Sequence, residues 1–140
     1  MSAALEERRR SCRRFGWSAL GGWAVFGLGL EALHGFKVSA YLDEPLTREL
    51  LVLAHAHGVG LSLVVLAFGE AGAPLFGDRS DHGASLALRA AALLVPLGFA
   101  LSAIGHPEGD PGLPIWLVPP AALAAIYALA RTAHAAFRSP

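Results

Sequence analysis

The sequence predicts an all-α fold, an antiparallel bundle of four transmembrane helices forming one domain over residues 1–140, with both termini cytoplasmic. Three observations predict it. The chain is 54% hydrophobic and only 16% charged, with a mean hydropathy of +0.50, a composition that suits lipid better than water. Its apolar residues gather into four runs, at about 15–36, 48–69, 84–105 and 113–136, each close to the roughly 20 residues that cross a hydrocarbon core about 30 Å thick. The segments between the runs are short, so successive helices reverse direction.

The first run follows an arginine-rich segment, Arg8, Arg9, Arg10, Arg13 and Arg14, and stops at Asp43-Glu44-Pro45. In the second, Thr47 is placed to cap the helix N-terminus, with Glu49 in the first turn at the positive end of the dipole. The third begins after Gly77-Asp78-Arg79-Ser80-Asp81 and carries Arg89 near its start, where a long side chain can snorkel to the interface. The fourth follows the turn Pro107-Glu108-Gly109-Asp110-Pro111-Gly112 and is rich in alanine. Pro96, Pro119 and Pro120 are expected to bend the third and fourth helices, and Trp17, Trp23, Trp116 and Tyr41 to act as interfacial or packing aromatics.

Orientation follows from the basic residues. Nine arginines, Arg8, Arg9, Arg10, Arg13, Arg14, Arg79, Arg89, Arg131 and Arg138, fall on one side of the four runs, against Lys37 and Arg48 on the other. The positive-inside rule puts the first side in the cytoplasm and makes this an inner (plasma) membrane protein. An export signal built on Arg13-Arg14-Phe15 with cleavage near Val38-Ser39-Ala40 fits less well, because the run is long for a signal core and carries Glu31 and His34. Eleven basic residues balance eleven acidic ones, which argues against a nucleic-acid binder. Cys12 is the single cysteine; in its basic juxtamembrane setting it is a palmitoylation candidate at most.

Ionisable groups within a bilayer are costly and tend to mark function. Here they share one level. Glu31 and His34 lie in the last part of the first run, His55 and His57 in the first half of the second, and His106 at the end of the third, so four of the six histidines converge toward the outer face. Glu31 and His34, three residues apart, stand about 60° apart on a helix and share a face. An E-x-x-H pair of this kind holds metal in carboxylate-bridged bundles. Its alternative is a Glu–His pair that offsets its own burial.

His55 and His57 are about 200° apart around a helix and point to nearly opposite sides. Two neighbouring sites, or a ligand and its supporting partner, therefore suit them better than one shared ion. The stretch Ala54-His55-Ala56-His57 resembles the helix of haem-copper oxidases in which two histidines, two residues apart, bind cofactors on either side. The resemblance covers those residues alone, without the twelve-helix framework, and implies His55 and His57 as axial haem or copper ligands. His106, held among prolines and glycines, is a further candidate ligand or a solvated loop residue. The acids Asp43, Glu44, Glu108 and Asp110 would draw cations to the mouth. Glycines flank the cluster at Gly27, Gly29, Gly35, Gly58 and Gly60, permitting close approach of a helix or a macrocycle.

These residues lead to an expected function. The candidate metal ligands are Glu31, His34, His55, His57 and His106, and His34, His55 and His57 are the candidate cofactor residues. Imidazole with one carboxylate suits copper or iron, giving a membrane oxidoreductase, with copper favoured, to which a small molecule or quinol comes through the lipid. The alternatives are a protein carrying haem b for electron transfer or a minimal haem-copper-like oxidase, a metal or proton transporter or sensor, and a packing subunit of a larger complex. A homo-oligomer is expected, and the site is expected to open toward the periplasmic or extracellular side.

Overall fold

The computed structural model describes residues 3–76, 82–104, 106 and 109–138, and they are helical with short connections; among them there is no strand. Four long helices run through it: α1 (Ala3–Gly35), α3 (Pro45–Ala67), α4 (His82–Ser102) and α5 (Val118–Arg138), with a one-turn α2 (Ser39–Leu42) between the first two. The chain segment Pro45–Phe76, helix α4 and the segment Leu113–Arg138 are long and apolar enough to cross a membrane. Helix α1 is long enough but less apolar, since Gly21, Gly22, Gly27, Gly29, two tryptophans and Glu31 dilute its hydrophobic residues. The loop Gly77–Asp81, and Gly105, Pro107 and Glu108 of the third turn, lie outside the described residues.

Each long helix packs on the next in sequence, α1 on α3, α3 on α4 and α4 on α5, whereas α1 and α5 do not form a substantial contact among the described residues. Helix α1 also meets α4 near its start, so all four long helices contribute to one core. That core lies at the end where α1 begins, hereafter the arginine end. Cys12, Val65, Phe68, Ala73, Ala84, Leu88, Ala92 and Ala128 form one buried cluster there, with Phe15, Leu61 and Phe76 against it. Small residues on α4 and α5 let the helices approach closely, and van der Waals packing between them then stabilises the contact.

Several local features depart from the sequence expectation for physical reasons. Helix α1 begins at Ala3, not near residue 15, because its polar first turns are strong helix formers tied down by ion pairs. Arg9 reaches Glu70 at 2.5 Å, Arg13 reaches Glu6 at 3.2 Å and Glu70 at 3.6 Å, and Arg10 lies 3.8 Å from Glu7. Glu70 reaches back to them because α3 passes into a π turn at Phe68–Gly72 and a 3-10 turn at Ala73–Phe76. Arg89 donates to Ser11 Oγ at 2.7 Å and to the Ser85 carbonyl at 3.3 Å. Cys12 is sealed against Ser85, Sγ to Oγ 3.5 Å, and is closed to modification. Pro119 and Pro120 sit in the first turn of α5, where a missing N–H costs no helical hydrogen bond. Pro96 does lie inside α4.

The opposite end, hereafter the histidine end, is looser. Helix α1 stops as the Val38 N–H bonds the Leu33 carbonyl at 3.0 Å and Lys37 adopts φ 53°, a left-handed closure that glycine more often supplies. Helix α3 starts at Pro45, with Glu44 as its N-cap residue and no side-chain cap. Thr47 is therefore not the cap. Its hydroxyl faces the end of α4, 3.4 Å from the Ala103 carbonyl and 2.9 Å from His106 Nε2.

Candidate functional site

Helices α1 and α3 touch through two reciprocal insertions. The His55 ring of α3 lies against Gly27 of α1, and the Trp23 ring of α1 lies against Gly58 of α3. A Cβ at either glycine would come within 2.2 Å of the facing ring. Glycine at these two positions is what lets an imidazole enter the contact between the helices.

His55 is held in a defined tautomer there. Its Nδ1 is 2.9 Å from the Trp23 carbonyl oxygen, and a carbonyl only accepts, so Nδ1 carries the proton. In the neutral ring Nε2 then keeps its lone pair. Histidines that ligate metal are commonly fixed by this type of bond, the second nitrogen donating to a backbone carbonyl.

Toward the histidine end the contact widens into a groove of about 770 Å³ lined by Gly27, Glu31, His34, Tyr41, Arg48, Val52 and His55, with Leu20, Ala24, Leu28, Leu30 and Val59 among its apolar walls. The volume falls within the range of about 300–1,000 Å³ usual for small-molecule sites. Glu31 is one helical turn from Gly27, and His34 about one turn further, at 1.5 Å rise per residue. Both are exposed. Arg48 precedes His55 by seven residues, two turns of the same helical face, and donates to the Leu42 carbonyl at 3.1 Å. The turn at α2 brings Tyr41, itself buried, onto the same groove.

The other two candidates stand apart. His57 faces a shallow apolar depression with Ala56, Gly60 and Leu61. Its Nδ1 donates to the Leu53 carbonyl at 2.8 Å and its ring lies 5.1 Å from that of Phe99. His106 lines a pocket of about 510 Å³ with Glu44, Pro45, Thr47, Ala103 and Gly109 between α3 and the end of α4. Among the described residues no three His, Cys, Asp or Glu side chains converge closely enough to enclose a metal ion. No family model, curated protein or solved structure matches the chain.

Glu31, His34 and His55 thus share one groove, with His57 turned away as its angular offset from His55 implies. Gly27 and Gly58 serve the close approach, while Gly29, Gly35 and Gly60 face open space. Arg48 and Tyr41 escaped the sequence reading. The seven-residue spacing of Arg48 from His55 was a usable signal; nothing in the sequence marks Tyr41.

Proposed function

We propose that this chain is an integral membrane protein of four crossings, α1 included, with both termini cytoplasmic, and that its α1–α3 groove binds a redox metal ion for a membrane oxidoreductase. The observation that carries the reading is His55: an imidazole with Nδ1 fixed on the Trp23 carbonyl and Nε2 unprotonated when neutral, in a groove shared with a carboxylate and a second imidazole. One nitrogen is preset. Glu31 and His34, exposed one and two turns further along, supply the remaining ligands by side-chain rotation when the ion enters.

Mixed imidazole and carboxylate donors suit copper or iron, and copper is the first choice if the groove opens outward, as the arginine distribution implies. The resemblance of Ala54-His55-Ala56-His57 to the haem-copper oxidase helix supports a second reading. His55 and His57 both have Nδ1 engaged by a carbonyl, at 2.9 and 2.8 Å, so each keeps an Nε2 free: one of them with His34 would hold haem b, or the two, on opposite sides, would face a haem and a separate metal.

The test is metal analysis and an optical spectrum of protein purified in mild detergent, oxidised and dithionite-reduced, beside His55→Ala. Stoichiometric copper or iron in wild type, lost from a His55→Ala protein that still elutes as one helical species, is the expected result. A Soret band lost with His55 selects the haem reading. Equal metal in both proteins, or none in either after reconstitution with copper and iron, overturns the assignment.

A further inference from the structure

The groove that holds His55 has a polarity gradient along its length. At the histidine end stand Arg48, Tyr41, His34 and Glu31; toward the arginine end its walls are Leu28, Ala24, Leu20 and Val59. From His34 to Leu20 is fourteen residues of α1, or about 21 Å at 1.5 Å per residue. A ligand that matches both parts has a compact polar head and one apolar chain. About 770 Å³ holds a ring and the first part of one chain, and is small for a two-chain phospholipid.

The head-group chemistry narrows the class. Arg48 and Tyr41 bring hydrogen-bond donors to the mouth, and two acceptors stand deeper in, Glu31 about one turn and the Nε2 of His55 about two turns below the level of Arg48. Two oxygens at opposite ends of a six-membered ring span a comparable length. Each hydroxyl of a quinol can accept as well as donate, so one accepts from Arg48 or Tyr41 and the other donates to Glu31 or to His55 Nε2; the carbonyls of a quinone only accept and would find no donor at that second end. A purely anionic head would meet the Glu31 carboxylate in the same mouth. We infer that the groove binds a lipid-soluble quinol, its ring held between Arg48–Tyr41 and Glu31–His55 and its chain running along Ala24, Leu20 and Val59. The inference rests on the reading of this groove as the functional site and names the molecule it takes from the membrane.

The probe is decylbenzoquinone reduced to its quinol and kept under argon, titrated into the protein in nanodiscs. The readout is quenching of Trp23, whose ring lies against Gly58 beside the groove, in a Trp17→Phe/Trp116→Phe background. Saturable quenching is expected, at least tenfold weaker in Arg48→Leu and in Val59→Phe, and unchanged in Leu123→Phe on the exposed side of α5. Circular dichroism and gel filtration check each fold, and Val59→Phe decides the matter if Arg48→Leu does not fold. Quenching that rises linearly without saturation, or equal affinity in all variants, overturns the inference. So does an organic extract in which a phospholipid, not displaced by the quinol, is present one to one. Metal analysis of the same samples separates the two readings: metal without a quinol site removes this inference alone, and loss of both removes the proposed function as well. Saturable binding retained in a metal-free protein leaves the inference standing while the metal reading falls.

Discussion

At the arginine end Cys12, Val65, Ala84 and Leu88 are sealed from solvent, and ion pairs and hydroxyl contacts join α1 to its neighbours. At the histidine end Glu31, His34 and Phe36 are exposed, and α1 and α3 part to form a groove. The same antiparallel helices run through both regions. Glycines permit close contacts in both, Gly16 against Leu66 and Gly69 against Cys12 in the first, Gly27 against His55 in the second; what differs is that the first is filled by a buried cluster and the second opens into the groove. Close packing stabilises the first region, while the second leaves polar groups with unfilled hydrogen-bonding capacity, as a binding site requires.

Substitutions at the two ends measure that division. Leu88 is 1% exposed and Leu28 71%. Leu88→Ala should cost about 2–5 kcal/mol in a detergent unfolding assay, the range for a core cavity, whereas Leu28→Ala should stay within about 0.5 kcal/mol. Comparable losses at the two positions would show that the histidine end is also packed, by a partner. Gly27→Ala is intermediate. The new methyl displaces the His55 ring, at a cost of about 1–3 kcal/mol for overpacking, and bound metal should fall with stability; full metal retention would detach His55 from the site. Glu70→Gln should have the smallest effect. Glu70 is about half exposed, so its pairs with Arg9 and Arg13 are weakened by water and salt. The expected drop in melting temperature is small at low salt and vanishes at high salt.

Three of the four long helices were legible because their apolar runs meet the length that lipid demands, and how the helices pack was not, since hydropathy does not say which faces meet. Segment 3–14 was missed as helix for want of an apolar period; only its partners in space, chiefly Glu70, show why it is ordered. The depth of Glu31, His34 and His55 could be counted at a fixed rise per residue, and the offset of His57 from His55 followed from the turn angle. Thr47 looked like a cap because its residue type is common at that place. Proline at the start of α3 moved the boundary, and a contact with His106 took the hydroxyl. Tyr41 reaches the groove through a chain reversal at α2, and a reversal carries no periodic signal.

The paired insertions, His55 over Gly27 and Trp23 over Gly58, also restrict how α1 and α3 move. A piston-like slide of either helix would move each ring off its glycine toward the residues one turn away on the same face, Trp23, Ala24, Leu30 and Glu31 about Gly27 and Ala54, His55, Leu61 and Ser62 about Gly58, all of which carry a Cβ. Shear is thereby blocked, while a small rotation about the line joining the two insertions is not. The pair behaves as a hinged clasp with its pin near Gly27 and Gly58, so any motion that admits a ligand changes the width of the groove while preserving the register of the residues that line it.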